Sequence, residues 1–135
     1  MLPMYAITVT TESGSKECWA VFDTGAAMSQ LADSVVDELG LRSSEKRLMQ
    51  NTTHIYEANL LGAWKAWVGD TAVRFGRLET VSCADMGCTY QVVLGLDFLK
   101  DFELTINGST SVVKLRRLLA HERAEFNAQT QGAKG

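Results

Sequence analysis

No apolar run in the 135-residue chain approaches the ~20 residues that a membrane-spanning helix requires. Met1 to Thr10 also lacks a basic stretch leading into a long apolar segment, so the opening does not read as an export signal. Both absences point to a soluble, cytoplasmic protein without a membrane partner, whether free or cut from a longer chain. Positive charge is in short supply as well. With a formal net charge of −3 and a pI near 5.3, no basic stripe is available to neutralise phosphates, which argues against nucleic acid as a partner. Cysteine is sparse and odd in number: Cys18, Cys83 and Cys88, with no histidine at ligand spacing from the last two. A secreted disulfide framework wants an even count and a metal site wants more ligands. The thiols therefore read as buried or idle ones in a reducing compartment, with a Cys83 to Cys88 redox clip as the other reading, and no metal or cofactor is implied.

What is present is organised around Val21-Phe22-Asp23-Thr24-Gly25-Ala26. An apolar strand from Trp19 to Phe22 runs into a carboxylate and then into a glycine turn, which delivers Asp23 at a strand end. A lone aspartate after an apolar run reads equally as a solvated turn residue; the four-residue pattern says more. Thr24 can donate and accept a hydrogen bond, Gly25 lets the backbone approach a carboxylate closely, and Ala26 adds no polar atom beside it. In this pattern, and in Ser29 and Leu31 beyond it, the chain resembles the retropepsin-like aspartic proteases, whose signature is two apolar residues followed by Asp-Thr-Gly-Ala.

A chain of this length fits one domain with a modest core. Residues 5–11 alternate apolar and polar, Glu12 to Lys16 is turn chemistry and residues 17–22 are extended, so the start reads as a β-hairpin. Ser29 to Leu31 is extended and Asp33 to Leu39 helical, with Gly40 placed to stop the helix. Thr52 to Tyr56 and Leu60 to Val68 suggest a long hairpin. Trp64 and Trp67, three apart, fall on opposite faces of a strand. Residues 72–81 read as a strand pair broken at Gly76. Val92-Val93-Leu94 then runs into Gly95 as a buried strand would, with Asp97 capping a helix from Phe98 to Phe102. Residues 103–107 and 111–115 form a hairpin turning at Asn107-Gly108, and Arg116 onward is helical.

The second apolar-Gly stretch also matches the family, in which the strand before that glycine crosses the loop carrying the catalytic acid. The resemblance implies an all-β, single-domain, closed retropepsin-like fold with one lobe per chain, short helices and an extra C-terminal helix. The domain spans 1–115, the helix 116–127 and a disordered tail 128–135. No second aspartate is followed by Thr-Gly or Ser-Gly, so the resemblance implies a homodimer acting on polypeptides, with one catalytic Asp23 from each subunit. Thr24, Gly25, Ala26 and Gly95 would support the active-site loop. Thr24 would bond to the partner's loop, Gly25 N–H would serve the carboxylates, and Ala26 would leave the outer oxygen without a hydroxyl donor. The long hairpin would be the flap, with Ile55 and Tyr56 against substrate, and His54 is a poor base because no partner acid is indicated. A catalytically silent dimerisation or peptide-binding module is the alternative within the same fold. A phosphate-binding Asp-x-Gly turn, as in sugar kinases, needs a longer chain and further phosphate motifs.

Overall fold

The computed structural model describes residues 4–50, 53–84, 89–110 and 112–121, and its backbone contacts gather into two units, Met1–Asp97 and Phe98–Gly135. In the first unit, β1 (Met4–Thr11) pairs antiparallel with β2 (Gly14–Phe22), with Thr11 opposite Gly14. Only Glu12 and Ser13 remain in the turn, a tighter one than composition suggested, and Thr11 Oγ1 closes it by accepting the Ser13 N–H at 3.1 Å. Ile7, Val9, Cys18, Ala20 and Val21 are buried. The alternate residues Ala6, Glu17 and Trp19 face outward, as a pleated strand with one covered face requires.

β3 (Gln30–Ala32) leads into α1 (Asp33–Leu39), which buries Val35, Val36 and Leu39. Gly40 ends the helix at φ +64° and ψ +39°, a left-handed conformation that glycine takes without a Cβ penalty, and the Leu41 N–H returns to Val36 O at 3.1 Å.

Residues 42–68 depart from the expected pattern. The hairpin is built from β4 (Arg42–Gln50) and β5 (Ile55–Leu61), and β6 (Trp64–Val68) leaves it to pair with β1 and with β7 (Thr71–Phe75). β4 begins Arg-Ser-Ser-Glu-Lys-Arg and has little strand propensity of its own; cross-strand pairing with β5 holds it extended. The strand pair expected across residues 72–81 separates too. β7 stays with β6, while β8 (Val81–Cys83) pairs with β3 and β5. Between them Leu78 sits at φ +66°, which costs a non-glycine residue about 1 kcal/mol. Its N–H bonds Leu61 O at 2.8 Å and its side chain packs against Ala58, Leu60 and Val81.

β9 (Val92–Leu94), buried at all three positions, lies between β2, to which it is parallel, and β3, to which it is antiparallel. α2 follows as Leu96–Leu99, so Asp97 stands in its first turn and Phe102 starts the next strand instead of ending this helix. The complete ladder runs β4-β5-β8-β3-β9-β2-β1-β6-β7. Trp64 and Trp67 do take opposite faces. Trp64 is buried, stacked on Phe75 at 4.2 Å between ring centroids, and donates Nε1–H to the buried Thr80 Oγ1 at 2.8 Å; Trp67 is 41% exposed.

The second unit holds the hairpin of β10 (Phe102–Asn107) and β11 (Val112–Arg117). Asn107 Oδ1 accepts the N–H groups of Ser109 and Thr110 at 3.0 and 3.2 Å, which widens the turn beyond the Asn-Gly pair. Arg116 and Arg117, expected to open the C-terminal helix, instead end the strand. Cross-strand partners explain it: Arg116 meets Glu103 at 2.9 Å and Arg117 lies 5.0 Å over the Phe102 ring. Helical geometry begins at Ala120 and His121; the rest of the expected helix to 127, the expected tail 128–135 and Cys88 lie outside the described residues. Among the described residues no helix is long and apolar enough to cross a membrane.

Burial pushes the Cys18 thiol from its ordinary value near 9 up to about 11. The unfolded thiol ionises near pH 9 while the folded one keeps its proton, so its contribution is complete below pH 9 and is lost as pH rises through 11. Urea titrations at a series of pH values should show the wild type losing up to roughly 2 to 3 kcal/mol more than Cys18→Ala across that window. Parallel alkaline limbs for the two proteins would refute it.

Candidate active site

β2 ends where the chain must turn over the end of β9. The Asp23 N–H still completes the ladder to Leu94 O at 3.0 Å, and the Ala26 N–H then folds back to Asp23 O at 3.2 Å. The Asp23 carboxylate therefore stands at a strand end, half-buried, with Oδ1 accepting the Gly25 N–H at 2.8 Å. A Cβ on Gly25 would lie 3.1 Å from that oxygen, so a larger residue would press on the carboxylate it serves. Thr24 is exposed beside it and Ala26 is half-buried. Tyr5 tilts its ring against Phe22, with centroids 5.0 Å apart. Its hydroxyl is enclosed with no hydrogen-bond partner among the described residues, and burial raises its pKa.

The stretch after β9 packs against the turn through backbone contact. Leu96 N–H donates to Ala26 O at 2.8 Å, and the Gly95 N–H donates to Ser29 Oγ at 3.1 Å. A Cβ on Gly95 would stand 2.4 Å from Ala26 O and 3.1 Å from the carbonyl carbons of Ala26 and Met28, so only glycine allows the approach. Ser29 is fully buried; its Oγ–H donates to Asp97 Oδ1 at 2.7 Å and its N–H to Asp97 Oδ2 at 2.9 Å. Sequence reasoning reached Asp23, Thr24, Gly25, Ala26 and Gly95, and the structure brings all five into one crossing. It missed the role of Asp97, read as a helix cap. The only available signal was that a buried serine near an acid turn needs acceptors, and nothing local names a partner 68 positions away.

The two hairpin residues singled out from sequence separate. Tyr56 pairs with Met49 across β4–β5, and both pack on an apolar cluster of Ala58, Leu60 and Val81 that also receives Met28 from the acid turn. Ile55 lies on the other face, 71% exposed, because successive strand residues alternate. Asn51 and Thr52 lie outside the described residues, and His54 contacts Thr53 Oγ1 at 2.6 Å.

An aspartyl protease family profile matches residues 7–98, which include the whole of this crossing. The chain belongs to the aspartyl protease family. Among solved structures, the retroviral protease-like domain of Ddi1 from Leishmania major shares the fold, with a TM-score of 0.55 and 14% sequence identity over 87% of this chain and 92% of that one. No curated protein matches the sequence. The fold is retropepsin-like, and the matched residues include Asp23, on the turn that Gly95 packs against.

Gly95→Ala should be among the most damaging single substitutions in the molecule. Forcing a methyl onto a backbone carbonyl should cost about 3 kcal/mol or more by denaturant unfolding. Gly108→Ala, where a Cβ meets nothing within 4 Å, is the control and should change stability by less than about 0.5 kcal/mol. Similar losses at the two positions would mean the crossing is not under steric constraint.

Proposed function

We propose that the chain is one half of a homodimeric aspartic endopeptidase, in which two Asp23 carboxyls, one from each subunit, activate a water molecule between them. The observation that carries this reading is the Asp23 turn. It holds a half-buried carboxylate on a glycine N–H at 2.8 Å, inside a family fold whose chain supplies a single Asp-Thr-Gly. Two carboxyl groups side by side cannot both ionise cheaply, so the pair shares a proton and titrates as a unit, the behaviour described for aspartic proteases generally. The ionised member takes a proton from the water. The protonated member donates to the scissile carbonyl, and a tetrahedral gem-diol forms with no covalent enzyme intermediate.

Thr24, exposed on each turn, bonds to the partner's loop and Gly25 N–H stabilises the ionised carboxyl. The polypeptide substrate lies extended between the acid turn and the β4–β5 hairpin, hydrogen-bonded through its backbone. The burial pattern favours Tyr56 over Ile55 as the side chain that meets it, since Tyr56 shares an apolar cluster with Met28 of the turn. The buried thiol of Cys18 agrees with a reducing, cytoplasmic setting.

A peptide-library digest tests the reading, with Asp23→Asn abolishing cleavage and specific activity rising with protein concentration as dimer forms. Equal cleavage by both proteins would reject it. No turnover by the wild type, with peptide affinity intact in Asp23→Ala, would leave a silent binding module.

A further inference from the structure

We propose that Asp97 is a positioning residue for the Asp23 turn, acting through Ser29. Its kinetic consequence rests on the endopeptidase reading, whereas its structural consequence does not. The segment 94–97 holds the turn at three points, each three residues further along it. Leu94 O receives the Asp23 N–H at 3.0 Å, Leu96 N–H reaches Ala26 O at 2.8 Å, and Asp97 takes both donors of Ser29 at 2.7 and 2.9 Å. The first two holds are backbone to backbone and use no side-chain atom of residues 23, 26, 94 or 96. The third is made by side chains and depends on the sequence.

Ser29 has no exposed surface, and Asp97 provides the acceptors for its N–H and Oγ–H. The same Oγ accepts the Gly95 N–H at 3.1 Å, so the serine ties the return limb of the turn to the residue packed beneath Ala26. Removing the carboxylate leaves two buried donors unpaired and frees residues 27–29 from the strand end that fixes Asp23. The effect is positional. Asparagine tests this, because its carbonyl accepts the Ser29 N–H and its amide donates to Ser29 Oγ, which keeps both contacts and removes the charge while only the Oγ–H loses its acceptor.

The experiment compares Asp97→Ala, Asp97→Asn, Ser29→Ala and the Asp97→Ala/Ser29→Ala double variant by amide hydrogen exchange and by peptide-cleavage kinetics. Asp97→Ala should speed exchange across residues 23–29 by about tenfold or more while the β1 amides of Ile7 and Val9 keep their protection. Its kcat should fall about 10- to 100-fold with KM within about threefold, since an ångström of misplacement acts mainly on the chemical step. Ser29→Ala should match it, and the double variant should be no worse than either single one. Asp97→Asn should restore kcat to within about threefold with an unchanged pH profile. Wild-type exchange at 23–29 in Asp97→Ala would overturn the proposal whatever the kinetics. So would loss of protection in β1 alongside it, or an equal kcat loss in Asp97→Asn. A wild type without Asp23-dependent cleavage would instead reject the endopeptidase reading, and the exchange result would still decide the role of Asp97.

Discussion

The first unit depends on one close approach, Gly95 packed against the carbonyl of Ala26. Because no side chain intervenes, the chain after β9 can lie directly on the acid turn, with Leu96 N–H and Ala26 O within hydrogen-bonding distance. That contact allows β9 to occupy the place between β2 and β3, where it buries Val92, Val93 and Leu94 and supplies the acceptor for the Asp23 N–H. Widening the crossing by one methyl group would separate the strand from the turn it supports. The steric constraint and the placement of the acid are therefore one feature.

The turn itself is held mostly by backbone groups. Asp23 O, Gly25 N–H, Ala26 N–H and Ala26 O are all committed within the crossing, which leaves the Asp23 carboxylate presented on a rigid frame with little freedom to lose. Such preorganisation suits the proposed role, in which two Asp23 carboxyls meet at close range and an error in separation changes how the pair shares its proton. The Ser29–Asp97 tie adds a pairing between two side chains, and it lies on the far limb of the turn.

Other parts of the fold were legible to different degrees, for physical reasons. The β1–β2 hairpin, α1 with its Gly40 stop and the split of Trp64 from Trp67 follow from alternation, helical spacing and a left-handed glycine, all of which act over a few residues. The β4–β5 hairpin was misread because β4 is a charged strand whose extended form comes from its neighbour. β7 and β8 looked like partners since they are adjacent in sequence, yet each finds a better-matched edge elsewhere. Arg116 and Arg117 looked helical by composition, and a facing glutamate and a facing phenylalanine ring keep them in a strand.

By itself the sequence determined that an acid would stand on a glycine turn after a buried strand, and that a second glycine would follow another such strand. Backbone conformational preference acts between neighbouring residues, so both features could be read in place. Only the tertiary structure decided that β9 threads between β2 and β3, that Tyr56 and not Ile55 shares the cluster with Met28, and that Asp97 reaches Ser29 across 68 positions. Those outcomes depend on which distant surfaces bury each other best, and no local preference carries that information.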